Sequence, residues 1–225
     1  MEMTPELHGT PDVETGVGRR ERKKLRTRQL ISDLATEMFM ERGFDHVTVA
    51  EVAKAADVAV QTVFNHFPAK EDLFFDAQDW WQGPAQAIRE TPVPAAPAGG
   101  EVVDALEKHY LQGIRGRLRS GQLATWKAFA RTIEESPALL ARRRRNAEEM
   151  EALMVEALLE RDPRVSPLLA QLLAAQYAAA QKVLEAELAR LLPDSPNGVQ
   201  LAHVEEALEQ AVSAVFGALR HGLRL

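Results

Sequence analysis

The sequence contains no cysteine, which excludes a disulfide framework, a thiolate metal site, a Cys nucleophile and thiol redox sensing. It has no long apolar run. The most apolar stretch, around residues 168–180, is interrupted by Gln171 and Gln176 and is too short to span a bilayer. The N-terminus is polar and acidic and has no signal-peptide apolar segment, so the expected compartment is the cytoplasm, with no membrane partner. Runs of alternating β-branched residues are missing, which leaves no credible strand. There is also no glycine-rich phosphate loop, no H-E-x-x-H and no G-x-S-x-G, so an enzyme is not expected. The 6 histidines are scattered without an i, i+4 pair, and neither a metal site nor a cofactor is expected. What remains is ordinary for a folded protein: 225 residues, 46% hydrophobic and 27% charged, enough for one large domain or two small ones.

Net charge is −6, which on its face disfavours a polyanion partner. The charge is unevenly placed. Residues 1–18 carry −4, residues 19–70 carry +3, and residues 71–225 carry −5. Seven of the ten cations in the middle block lie between Arg19 and Arg28. A basic cluster beside a folded segment is the footprint of a polyanion site, although a solvated helix face has the same composition.

Residues 1–18, with Pro5, Gly9, Pro11, Gly16 and Gly18, read as a mobile tail. From about Arg22 to Arg42, Leu30, Ile31, Leu34, Ala35, Met38 and Phe39 recur at helical spacing, and Gly43 closes the helix. Thr48 and Glu51 form a capping box at the start of a second helix. Ala56, Asp57 and Val58 make a turn, and Val60 to Phe67 form a third helix ended by Pro68. A fourth begins near Ala69 and carries Leu73, Phe74, Trp80 and Trp81. Residues 83–100, rich in Pro and Gly, read as a linker or irregular loop. Helices are expected over about 101–119, 122–134, 137–160, 167–192 and 200–222. The chain is therefore all-α with about nine helices.

Two short helices joined by a tight turn constitute a helix-turn-helix, whose second helix can enter the DNA major groove while the first crosses the backbone. On residue chemistry, Gln61, Thr62 and Asn65 can read base edges, Gln or Asn being able to bond adenine bidentately, and Val60 can touch a thymine methyl. Thr48 opens a helix whose free N–H groups suit a phosphate. His66 and Lys70 flank the recognition helix, where a phosphate contact is reasonable. Val63 and Phe67 are expected in the core. Residues 28–73, RQLISDLATEMFMERGFDHVTVAEVAKAADVAVQTVFNHFPAKEDL, resemble the DNA-binding domain of TetR-family transcriptional repressors. The resemblance implies groove contacts from Val60, Gln61, Thr62, Phe64 and Asn65, and backbone contacts from Thr48, His66 and Lys70. The family usually has Tyr where this chain has Phe64, so a hydroxyl contact is lost there. The basic arm ending at Arg28 can add further DNA contacts.

The resemblance implies a division into a tail (1–18), a helix-turn-helix domain (19–76) and an effector-binding and dimerisation domain (77–225). The expected partners are a palindromic double-stranded DNA operator, a largely apolar small-molecule effector and a second copy of the chain. The segment from Ile133 to Leu139, with the helix after it, is similar to C-terminal domains of the mycofactocin-regulator type, which implies an acyl-CoA-like effector. The Arg142–Arg145 run opposite Glu148, Glu149, Glu151 and Glu156 reads instead as a salt-bridged surface. Trp81, His109, Tyr110, Trp126, Phe129, Arg131 and Tyr177 are candidates to line a pocket, being aromatic or polar residues on apolar faces. Singly, each is as well explained by core or surface. Apolar and small-residue stripes on helices 167–192 and 200–222 suit a four-helix dimer interface, or an intrachain bundle core. The alternative function is a non-regulatory helical protein, enzyme or adaptor, whose helix-turn-helix only packs.

Overall fold

The computed structural model describes residues 18–76, 81–94, 100–120, 123–193 and 198–222, with the side chains of residues 19 and 123–126 left aside. The expected tail over 1–17, Trp80 and the side chain of Trp126 lie outside the described residues. Among the described residues every regular element is helical: α1 (Arg19–Arg42), α2 (Val49–Ala55), α3 (Val60–His66), α4 (Lys70–Phe75), α5 (Gly83–Glu90), α6 (Glu101–Arg119), α7 (Leu123–Glu135), α8 (Pro137–Arg161), α9 (Pro167–Leu191) and α10 (Gly198–His221), with a 3-10 turn at Phe44–His46. Among the described residues no helix is long and apolar enough to cross a membrane.

The local signals fall where their chemistry requires. Gly43 ends α1 at φ 82°, a conformation that costs glycine nothing, and its N–H donates to the Phe39 carbonyl at 2.9 Å. Thr48 and Glu51 form the reciprocal cap: Thr48 N–H donates to Glu51 Oε2 at 2.8 Å and Glu51 N–H to Thr48 Oγ1 at 3.2 Å. The turn between α2 and α3 passes through Asp57 at φ 52°, which Asp tolerates better than most residues.

Two readings change. Residues 83–90 form a helix, not part of an irregular loop, so the described residues hold ten α-helices where about nine were expected. Pro84 stands in the first turn, where its missing N–H has no intrahelical partner to lose. Ala85 and Ile88 are buried, and α5 packs on α8 and α6. Arg89 reaches Glu160 at 3.1 Å, and Arg161 donates to the carbonyls of Thr91 and Pro92, so the whole start of this segment is held down. Leu30, expected on the buried stripe of α1, is about half exposed.

Two apolar cores result. The first is aromatic: Phe39, Phe44, Phe67, Phe74 and Phe75 close α1 to α4 around Ile31, Val52 and Val63. It extends into Phe129, Ile133 and Leu139 of α7 and α8. The second, built by α5, α6, α8, α9 and α10, is rich in Ala, Leu and Met around Tyr177 and Phe216. Ion pairs lace α6 to α10, with Arg115–Glu209 at 2.5 Å, Arg119–Glu205 at 2.7 Å and Arg220–Asp104 at 2.6 Å.

Candidate nucleic-acid interface

The recognition helix α3 is seven residues long and buries one side chain, Val63, against the first core. Phe67 is buried beside it, as expected. The opposite face is open. Val60 and Phe64 are 41% and 42% exposed, unusual for large apolar residues on a helix with a core available. Gln61 and Asn65 share that face and hold each other, Gln61 Nε2 donating to Asn65 Oδ1 at 3.1 Å. Thr62 is half-buried. One short helix thus presents an amide pair flanked by apolar groups, the chemistry needed to touch base edges and thymine methyls.

The cations and the cap around α3 have a second occupation inside the domain. Arg28 donates to the His66 carbonyl at 2.6 Å, pairs with Asp76 and lies over the Phe67 ring at 4.4 Å. Lys70 Nζ donates to the Phe44 carbonyl at 2.6 Å and sits 4.1 Å from the centre of that ring. Burial pushes the Lys70 pKa down, against the pull of Asp45, Glu71 and Glu51. His66 is likewise held towards its neutral form by burial, with Arg28 and Lys24 acting the same way. The Thr48 hydroxyl is exposed but engaged in the cap, and Arg42 braces that cap through Glu51 at 2.6 Å. These groups fix the orientation of α3 in the domain. The exposed positive charge left over is concentrated on the first turns of α1, Arg20 to Arg26, with Lys54 on α2.

The proposed pocket residues do not all come together. His109, Tyr110 and Tyr177 line one cavity of about 240 Å³, with Gly83, Arg117, Gln181 and Glu185. Phe129 is elsewhere: it stacks on Phe74 at 4.0 Å and meets Phe75 edge-on at 6.3 Å. Arg131 is on the surface beside Glu135. Trp81 packs between the two cores. The cavity residues missed in the sequence had a signal, because Tyr177, Gln181 and Glu185 recur every fourth residue along one face of α9.

A polar joint accompanies the Phe74–Phe129 stack. Ser136, which caps α8, donates to Asp45 at 3.0 Å. Arg142 Nε donates to Asp72 at 3.1 Å, and that carboxylate also accepts the Ala69 N–H at the start of α4. Arg142 also pairs with Glu149, and Arg143 with Glu134. The salt-bridged surface expected for the Arg142–Arg145 run is therefore present for two of its members, with other partners than the i+3 and i+4 acids. The Ile133–Leu139 segment belongs to this joint and not to the cavity. Among the described residues no group of three or more His, Asp or Glu could hold a metal ion.

A helix-turn-helix with an open polar and apolar face, carried on a larger helical domain, defines a DNA-binding transcriptional regulator. The sequence profile of bacterial regulatory proteins of the tetR family matches residues 31–77. The HTH-type transcriptional regulator TcmR of Streptomyces glaucescens is 34% identical over 167 residues, which cover 71% of this chain and 69% of TcmR. The chain belongs to the TetR family. The fold is shared with NalD, the secondary repressor of the MexAB-OprM multidrug efflux pump in Pseudomonas aeruginosa, at TM-score 0.51 and 20% identity over 84% of this chain and 97% of NalD. It is shared too with a TetR-family regulator from Streptomyces coelicolor, at TM-score 0.50 and 22% identity over 88% of this chain and 99% of that one. The packing-only alternative for the helix-turn-helix is thereby set aside.

Proposed function

We propose that this regulator is a homodimeric repressor that leaves a palindromic operator when a small molecule occupies its second domain. The observation that carries the reading is the open face of α3, where Val60, Gln61, Phe64 and Asn65 have no structural reason to be together on the surface. In this reading Val60, Gln61, Thr62, Phe64 and Asn65 read bases, and the Arg20–Arg26 arm supplies the salt-dependent attraction to phosphates. Arg28 and Lys70 act chiefly as braces, and a phosphate must compete with their present partners. The second copy docks on α9 and α10: Leu168, Leu172 and Val183 are exposed along α9, and Ala214 and Gly217 leave room for close approach on α10. Effector occupancy is read out through α7 and α8, whose joint with Phe74, Asp45 and Asp72 ties the first core to the helices of the second. To switch fully the effector must prefer the released form by about 5.5 kcal/mol.

The test is fluorescence anisotropy with the upstream intergenic DNA. Specific binding should weaken steeply with salt, Gln61→Ala and Asn65→Ala should lose specificity by about 1–3 kcal/mol, and random DNA should bind wild type and variants alike. Equal losses on specific and random DNA would remove the base-reading role. Leu172→Glu combined with Val183→Glu should give monomers by light scattering, and an unchanged dimer would move the interface elsewhere.

A further inference from the structure

The cavity between α6 and α9 carries the chemistry of its occupant, an inference that rests on the effector-binding reading just given. Tyr110 is 8% exposed, lines the cavity, and its hydroxyl is buried without a hydrogen-bond partner. The Tyr177 hydroxyl beside it accepts from Gln181 Nε2 at 3.2 Å. Buried hydroxyls are normally paired, so an orphan one on a residue that lines a cavity marks a place where a ligand atom could supply the missing partner. Arg117 and Glu185 line the same space, and among the described residues neither has an ion-pair partner. Glu185 is exposed as a residue, yet desolvation of its carboxyl by the protein around it pushes its pKa up, against the pull of Arg117 and Arg143. Two phenol rings line the space, those of Tyr110 and Tyr177, which stand 6.3 and 6.1 Å from the ring of Phe216.

These groups discriminate between ligand charges. An organic cation would enter beside Arg117, with Arg143 also in electrostatic reach of Glu185. A fully ionised acid would meet the Glu185 carboxyl. A weakly acidic hydroxyl suits both, because its oxygen can accept from Tyr110 and Arg117 while its proton is shared with Glu185. At about 240 Å³ the space falls just below the range of roughly 300 Å³ and more that drug-sized ligands occupy. We propose that this cavity binds a small hydroxylated aromatic molecule of one or two rings, its acidic oxygen placed between Tyr110 and Arg117 and its proton towards Glu185. Entry is between α5 and α6. An outer groove of about 620 Å³ shares Gly83 and His109 with the cavity, so the imidazole stands at the passage. A Cβ on Gly83 would lie 2.5 Å from His109 Cε1, so only glycine lets the ring rest there.

The test is calorimetric titration of the full chain with naphthol, naphthalene and naphthylmethylamine, matched in ring size and differing in the polar group. Naphthol should bind about tenfold tighter than either of the others, and Tyr110→Phe should remove about tenfold of its affinity while leaving that of naphthalene unchanged. Glu185→Ala, at a position with accessible surface, repeats the comparison should Tyr110→Phe melt early. Naphthalene or the amine binding as tightly as naphthol, no binding of naphthol, or indifference to both substitutions would overturn the assignment. DNA affinity measured on the same samples separates this from the effector reading. Naphthol that binds selectively yet leaves DNA affinity unchanged supports the cavity chemistry and sinks the coupling. DNA release without preference for the hydroxyl does the reverse.

Discussion

The two cores of this regulator solve the problem of burial differently. In the first, rings pack on rings, with Phe39, Phe44, Phe74 and Phe129 separated by 4.0–6.1 Å, and the polar groups around them are matched. Arg28 has Asp76 and the His66 carbonyl, Lys70 has the Phe44 carbonyl, and Asp72 caps α4 while holding Arg142. The second is rich in small and flexible residues such as Ala157, Ala170, Ala174, Met150 and Met154, and polar atoms with nothing to bond occur there and on α8: the Tyr110 hydroxyl and both amide atoms of Asn146. Satisfied polar networks fix a single arrangement, whereas unsatisfied ones leave free energy that another conformation or a ligand can release. A rigid reader of DNA and, in the function proposed above, an adaptable receiver suit that division.

The contrast can be broken most forcefully at Phe74, which is 1% exposed and stacked on Phe129. Phe74→Ala should cost about 3–5 kcal/mol in denaturant unfolding, and a loss below about 1 kcal/mol would mean that the aromatic core is not tightly packed. Next, Arg142→Ala should cost about 1–2 kcal/mol by removing the bridge to Asp72 and Glu149. It should also weaken any response of DNA affinity to a bound ligand more than it weakens DNA affinity itself; the opposite order would take the joint out of the signal path. At the unpaired amide on α8 the sign reverses. Asn146 is fully buried with neither amide atom paired, so Asn146→Leu should stabilise by about 1 kcal/mol, while destabilisation of that size would show that the amide has a partner.

The smallest effect is at the surface of the first region. The Arg42 guanidinium and the Thr48 backbone and hydroxyl hold the Glu51 carboxyl at about 2, down from 4.5. A lowered carboxylate pKa stabilises the fold above pH 4.5, and this contribution is lost as pH falls towards about 2. Glu51→Gln should therefore melt below wild type at neutral pH, with the two curves converging in acid. A gap that persists at the acid end would assign the effect to the side chain's shape and not its charge.

How far the sequence could be read depended on the range of each contact. Thr48 with Glu51, Gly43, and the Asp57 turn were legible because their interactions close within a few residues. Phe129 was misplaced because an aromatic residue on a helix face does not announce which core it enters. The helix at Gly83–Glu90 was missed because Gly-Pro reads as a breaker, although Pro is at home in a first turn. Glu185 and Gln181 could have been found from their spacing with Tyr177. Nothing in the sequence showed that Arg117 would face them across another helix.

By itself, then, the sequence determined most of the helices, their caps and the helix-turn-helix, since backbone hydrogen bonds and side-chain caps are satisfied locally. Only tertiary packing decided that Arg28 and Lys70 brace the domain from inside, that α7 and α8 join the two cores, and that Tyr110, Arg117 and Glu185 share a cavity. Those outcomes depend on residues distant in the chain, and burial of the apolar faces selects which of them meet.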